Sequence, residues 1–139
     1  MYTFFAHTAD IGIDLRAASL DELFVEAARA FWDSILELDA LRADDALAIE
    51  LVTADTDLLL VDWLSELLYH FDTAGFVGRD ASITVEPEGA VLRLRATVRG
   101  ERGAAARLPV KVLVKGITYH QLRVAETPDG WEARVILDI

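Results

Sequence analysis

The chain has 139 residues, of which 53% are hydrophobic and 27% charged, a composition typical of a globular protein and not of a disordered one. Its formal net charge of -11 argues against direct, non-specific binding to nucleic acid, because contacts to phosphate need lysine and arginine. The absence of cysteine excludes disulfides and thiolate metal sites, and no apolar run approaches the roughly 20 residues that cross a bilayer.

We expect a single domain over residues 1–139 and a cytoplasmic location, because MYTFFAHTAD has neither the basic leader nor the apolar stretch of a signal peptide. The charge is uneven: residues 1–80 carry 17 acidic and 4 basic side chains, whereas residues 81–139 carry 7 acidic and 9 basic ones. An acidic surface suits a basic protein partner or a metal ion, although it also promotes solubility.

The first predicted elements are two short strands around HTAD and then a helix. After HTAD, Ile11, Ile13 and Leu15 alternate with small or polar residues, which is the period of a half-buried strand. The segment SLDELFVEAARAFWDSI has apolar residues at helical spacing and begins with Ser19 and Glu22 in a capping-box pattern.

A further strand is predicted around residues 47–51, followed by a second helix in TADTDLLLVDWLSELLYHFDTAGF. Asp55 or Thr56 caps the beginning of this helix, and Gly75 suits its end. Apolar residues cover much of the circumference of this helix, so we expect it to be the more central of the two helices.

After residue 80 the period changes to two, which predicts a succession of strands. SITVEP and AVLRLRATVR are joined by a turn, GERGAAARLP is a loop, VKVLVKGITYHQLRVAE contains at least one strand, and WEARVILDI is the last strand. In that last strand Asp138 and Arg134 point away from the core face. The predicted fold class is α+β, with two helices packed on one face of a mixed β-sheet, a strand-rich C-terminal half and no internal repeat.

Candidate chemistry is concentrated at the end of the last strand. Asp138 precedes Ile139, with which the chain as given ends, so a side-chain carboxylate and a main-chain carboxylate are adjacent. With one more aspartate these hard oxygen ligands suit Ca²⁺, Mg²⁺ or Mn²⁺ and not zinc. Taken locally, Asp10 reads as a turn or cap residue and His7 as an ordinary polar residue.

Motifs of common enzymes are missing: there is no glycine-rich phosphate loop, no GxSxG and no HExxH. The segment VKGITYH instead combines Lys115, Tyr119 and His120, which favours contact with a partner or an anion. Lys111 and Lys115 are the only lysines among 13 basic residues, so both are candidate point charges.

Four segments together resemble the archease family: HTADIG (7–12), DLLLVDWLSELLY (57–69), VKGITYH (114–120) and the closing ILDI (136–139). They occur in the family's order and extend over the whole length. The chain departs from the family's pattern at Gly116, where alanine is common, and just before Lys115, where a glutamate is common.

The resemblance implies a small cytoplasmic protein that assists the GTP-dependent RNA ligase of tRNA splicing and RNA repair. Such a protein promotes attachment of GMP to the ligase histidine and sustains turnover, without being an enzyme itself. It also implies a divalent metal site formed by Asp10, Asp138 and main-chain oxygen of Ile139.

We therefore expect a non-enzymatic activator of the RNA ligase, with no membrane and no direct nucleic-acid partner. His7, Lys115, Tyr119 and His120 are the expected partner contacts. One alternative is a chaperone-like module for another tRNA-modifying enzyme. A further alternative is a metal-dependent hydrolase that uses Asp10 and Asp138 with His7 or His120 as base.

Overall fold

A computed structural model describes residues 1–7 and 10–139, the side chain of His7 excepted. Within these residues the strands are β1 (Tyr2–His7), β2 (Asp10–Ala17), β3 (Asp45–Thr53), β4 (Val77–Glu88), β5 (Val91–Glu101), β6 (Gly116–Thr127) and β7 (Gly130–Asp138). The helices are α1 (Leu20–Ile35), α2 (Thr56–Ala74) and the four-residue α3 (Ala104–Arg107). A 3-10 turn covers Leu38–Ala40.

The α+β class and the strand-rich C-terminal half are confirmed, but the expected single mixed sheet is replaced by two antiparallel sheets. One sheet has the order β1-β2-β7-β6 and the other has the order β3-β5-β4. β3 and β4, which α2 connects, run in the same direction, yet β5 lies between them and pairs antiparallel with both. In each sheet, strands that run in the same direction are not neighbours. A third strand, joined to one of them by a hairpin, lies between them and runs antiparallel to both.

Both sheets are built from the same arrangement of elements, although the sequence shows no repeat. β3, α2, β4 and β5 form a continuous unit, which we call the inserted unit. β2, α1, β6 and β7 form an equivalent one, the split unit, in which β7 lies between β2 and β6. The inserted unit lies between α1 and β6 in the chain, so the order of elements hides the repeat.

The helices do not cover one face of one sheet, since α1 and α2 each contact strands of both sheets. Between the sheets lies a core that includes the fully buried Trp32 and Trp63, and the Trp63 indole N–H donates to the Phe24 carbonyl at 3.0 Å. In the described part of the chain, no helix is long and apolar enough to cross a membrane.

The predicted helix ends are confirmed. The Ser19 hydroxyl accepts from the Glu22 N–H at 3.2 Å, and the Asp55 carboxylate accepts from the Leu58 N–H at 2.9 Å. Gly75 ends α2 with φ +60°, in the left-handed region that glycine adopts without strain.

The first turn of each helix also fixes an edge strand of the opposite unit. The Asp21 carboxylate in α1 accepts from the Val85 N–H of β4, and the Asp57 carboxylate in α2 accepts from the Val124 N–H of β6, both at 2.8 Å. Each bond satisfies an edge N–H that the sheet itself leaves unpaired. The two units are thus held together by polar contacts as well as by the core.

The segment predicted as a loop after β5 contains α3, which is held by a buried ion pair. Glu101 is only 5% exposed. Its carboxylate accepts two bonds from Arg107 at 2.6 Å and one from the Arg42 N–H at 2.9 Å. The hydrogen bonds from Arg107, with a smaller contribution from Arg42, lower the pKa of Glu101 to about 2.

Replacing Glu101 with glutamine should lower the free energy of unfolding by about 2 kcal/mol at pH 7, because Arg107 loses its buried carboxylate. The folded-state pKa is depressed, so this contribution is present above the ordinary value of 4.5 and disappears as the pH falls towards about 2. Urea unfolding curves of wild type and variant should therefore converge in acid. Glu86→Gln, at an exposed position of β4, is the control, and an unchanged stability in Glu101→Gln would contradict the assignment.

Candidate metal centre

Antiparallel pairing of β2 with β7 brings the beginning of one strand to the end of the other. In this register Asp10 lies directly opposite Asp138. The register is fixed by the apolar face of the two strands, since Ile13 pairs with Val135 and both are fully buried. A slip of one residue would turn every side chain to the other face of the sheet.

We call Asp10 and Asp138 the acid pair. Directly opposite residues in an antiparallel pair have Cβ atoms about 5 Å apart, so two aspartates there face each other closely. Asp138 is exposed and Asp10 is half-buried. Like charges in this position repel, and a cation between them removes the repulsion.

The main chain around Asp138 is held from both sides. The Lys115 N–H donates to the Asp138 carbonyl at 2.7 Å, and Gly116 is its register partner in β6. Ile139 follows immediately and packs, partly buried, against the core. Its side chain therefore anchors its main-chain oxygens next to the acid pair.

The donor set fits a hard divalent cation. Carboxylate and main-chain oxygens are the ligands of Ca²⁺, Mg²⁺ and Mn²⁺. Among the described side chains, which exclude those of residues 7–9, no three His, Asp or Glu cluster closely enough to hold a metal. Main-chain oxygen of Ile139, the residue after Asp138, is the further oxygen donor expected beside the acid pair.

His7 was also predicted as a site residue. Its main chain ends β1 and pairs with Asp10. Its side chain, and Thr8 and Ala9 between the two strands, lie outside the described residues. The role of His7 stays a prediction.

Of the other predicted contact residues, Lys115 lies just before β6, and Tyr119 and His120 lie on it. The side chain of Lys115 is exposed, one residue before the partner of Asp138. Tyr119 is 65% exposed, and His120 is exposed next to it. His120 Nε2 lies 3.5 Å from the side-chain amide nitrogen of Gln121.

A large bulge explains why Tyr119 and His120 are displayed together. Thr118 pairs with Ile136 and Arg123 with Arg134, so residues 119–122 face a single residue of β7. Gln121 has φ +56°, a conformation that costs energy for a non-glycine residue. Bulges bend a strand and re-aim its side chains, and here the bulge turns part of the VKGITYH motif outward.

Arg134 holds this side of the sheet together and was not assigned a role from the sequence. Its guanidinium donates to both Asp14 oxygens at 2.7 and 2.9 Å, and to the Gln121 side-chain oxygen at 3.3 Å. It also lies 4.4 Å from the centre of the Phe5 ring. Hydrogen bonding from Arg134 lowers the pKa of Asp14.

The glycine of the HTADIG motif has a packing reason. A Cβ placed on Gly12 would lie 2.2 Å from two atoms of the Phe5 ring, so the ring occupies the space of the missing side chain. A glycine inside a strand pattern is a signal for such a close approach, and it is the one sequence feature from which this contact could have been inferred.

Comparison with known proteins decides the family. The model of the archease protein family matches residues 2–139. The chain belongs to the archease family. Archease from Methanosarcina barkeri is 36% identical over 139 residues, which are 99% of this chain and 95% of the relative. Archease from Archaeoglobus fulgidus is 38% identical over 138 residues, 99% of this chain and 98% of the relative.

Solved structures agree with the archease fold described above. The solution structure of protein 1598 of Methanobacterium thermoautotrophicum superposes with a TM-score of 0.85 at 28% identity, over 99% of this chain and 98% of the other. The crystal structure of an archease from Thermotoga maritima, described as a possible chaperone, gives 0.63 at 18% identity over 100% and 98%. The Thermotoga protein supports the fold alone.

Replacing Gly12 with alanine should displace the Phe5 ring and cost about 1–2 kcal/mol of stability. In a Phe5→Ala background the same change should cost less by about 1 kcal/mol, because the ring is no longer there. Chemical denaturation of the four proteins measures this coupling. An equal cost of Gly12→Ala in both backgrounds would show that the ring is not the obstacle.

Proposed function

We propose that this protein is a non-enzymatic activator of the GTP-dependent RNA ligase that acts in tRNA splicing and RNA repair. The observation that carries the proposal is the acid pair. Two family motifs from the two ends of the chain supply one aspartate each to directly opposite positions of neighbouring strands. A purely structural role would not favour two facing carboxylates.

In this proposal Asp10, Asp138 and main-chain oxygen of Ile139 hold a divalent cation, namely Ca²⁺, Mg²⁺ or Mn²⁺. When bound, the ion would neutralise negative charge on a phosphate. Phosphoryl transfer depends strongly on such neutralisation. The residues of this chain present the site at the exposed end of a rigid sheet. The acidic surface is complementary to the cationic nucleotide site expected of the ligase.

Contact with the ligase is assigned to His7, Lys115, Tyr119 and His120. Lys115 is a compact charge directly before Gly116, the register partner of Asp138, and Tyr119 and His120 are exposed in the bulge. The chemical step, attachment of GMP to the ligase histidine, takes place on the ligase. The protein positions groups for that step in a cytoplasmic complex and contributes no nucleophile.

Stimulation of multiple-turnover RNA joining by the cognate ligase should fall on the order of tenfold or more in Asp10→Asn and in Asp138→Asn, because each loses a charged ligand of the ion. Asp72→Asn removes the same charge from an exposed position of α2 and should retain full stimulation. No stimulation by the wild type, or equal stimulation by all variants, would contradict the proposal.

If the terminal carboxylate of a chain that ends at Ile139 is a ligand, adding residues after Ile139 replaces it with a neutral amide and should weaken binding of the divalent cation with Asp10 and Asp138 intact. Calorimetric titration with Ca²⁺ and Mn²⁺ measures the affinity, and the same extension at the N-terminus is the control. Equal affinity with and without the C-terminal extension would remove the terminal carboxylate from the ligand set. A main-chain carbonyl of Ile139 would then be the remaining candidate.

A second candidate is a chaperone-like function for another tRNA-modifying enzyme. It is favoured by large apolar side chains at the surface: Phe4 is 44%, Leu113 66% and Tyr119 65% exposed. Suppression of client aggregation that survives Asp10→Asn, together with no effect on the ligase, would favour this function.

A further inference from the structure

Like charges also face each other near the middle of the sheet side that carries the acid pair. Arg123 of β6 is the register partner of Arg134 of β7. We call these two residues the arginine pair. The side chain of Arg123 is 61% exposed and that of Arg134 is 38% exposed. Directly opposite like charges are unfavourable in a sheet, whichever their sign.

Both arginines line a pocket of about 380 Å³, whose other lining residues include Thr3, Asp14, Arg16 and Glu132. Asp14 binds Arg134, and Glu132 lies 3.3 Å from Arg123. Within residues 1–7 and 10–139, Arg16 makes no ion pair with a carboxylate. The ammonium group of Met1, which also lines the pocket, is 3.0 Å from Glu26. The pocket is therefore lined by three guanidinium groups and two carboxylates, although the net charge of the whole protein is -11.

We propose that this pocket binds a phosphate group, with Arg16 and Arg123 as its principal donors. The planar guanidinium fork matches phosphate oxygens in a bidentate manner, and Arg is preferred over Lys where such geometry is used. The Thr3 hydroxyl lines the same pocket and is a further donor. A bound phosphate would reduce the repulsion between the two arginines, as a bound cation would reduce the repulsion between the two aspartates of the acid pair.

Arg134 is the positioning residue of this site. Its bonds to Asp14 and Gln121 and its place over Phe5 occupy it, so it fixes the pocket wall. A phosphate would bind Arg16 and would compete with Glu132 for Arg123, since those two side chains lie 3.3 Å apart. Arg134 and Asp138 are four residues apart on β7, about 13 Å along the strand. The ligand chemistry proposed for this pocket is a phosphate ester, and both a nucleotide and the phosphorylated end of an RNA carry one. The phosphate site does not depend on the proposed function.

The test is a binding measurement on the full chain in the presence of EDTA, so that the acid pair is not involved. The probes are inorganic phosphate, GTP and a short oligoribonucleotide with a 3′-phosphate. We expect saturable binding of at least one ester, weakened roughly tenfold by Arg16→Ala and by Arg123→Ala. Each substitution should also reduce the slope of log affinity against log salt concentration by about 1 for the oligonucleotide.

Arg95→Ala is the matched control, because Arg95 is 59% exposed on the three-stranded sheet and its loss changes the net charge equally. Equal weakening by Arg95→Ala, or no binding of any probe by the wild type, would overturn the phosphate site. Preference for GTP or for the oligonucleotide identifies the source of the phosphate. Metal-dependent stimulation of the ligase is measured separately, so the failure of one proposal leaves the other intact.

Discussion

Pairing of β2 with β7 is the constraint on which the rest of the molecule depends. It joins residues near the beginning of the chain to residues at its end, and nearly the whole sequence lies in the loop that it closes. The entropic cost of closing so long a loop is offset by the buried apolar face that the two strands share. The same register sets every neighbour on the solvent side, including the acid pair and the bonds of Arg134 to Asp14.

The repeated arrangement of the two units allows an internal comparison of equivalent positions. In the inserted unit, Asp45 begins β3 and Glu101 ends β5, as the acid pair begins β2 and ends β7. There the charges are matched by protein cations: Glu101 binds Arg107, and Asp45 lies 3.9 Å from Arg102. In the inserted unit this end of the strands thus carries ion pairs, and Glu101 is buried, whereas in the split unit two aspartates lie in directly opposite register positions.

Local features were predictable from the sequence because local rules determine them. The caps at Ser19, Asp55 and Gly75 follow from the chemistry of the first and last helical turns, and the strands follow from alternation. The division into two sheets, the bulge at residues 119–122 and the arginine pair depend on which strands meet, and no local pattern encodes that. The proximity of Asp10 and Asp138 was expected only through the family resemblance, and the register of β2 with β7 now gives its physical cause.

The nested order of the two units has a consequence for how the protein is made. All elements of the inserted unit have been synthesised by residue 101, so its three strands can pair on the ribosome. β2, although translated first, must wait for β7 before it can pair with that strand. The acid pair forms only with β7, so the cation proposed to bind there would report that synthesis has reached this strand and that the sheet has closed.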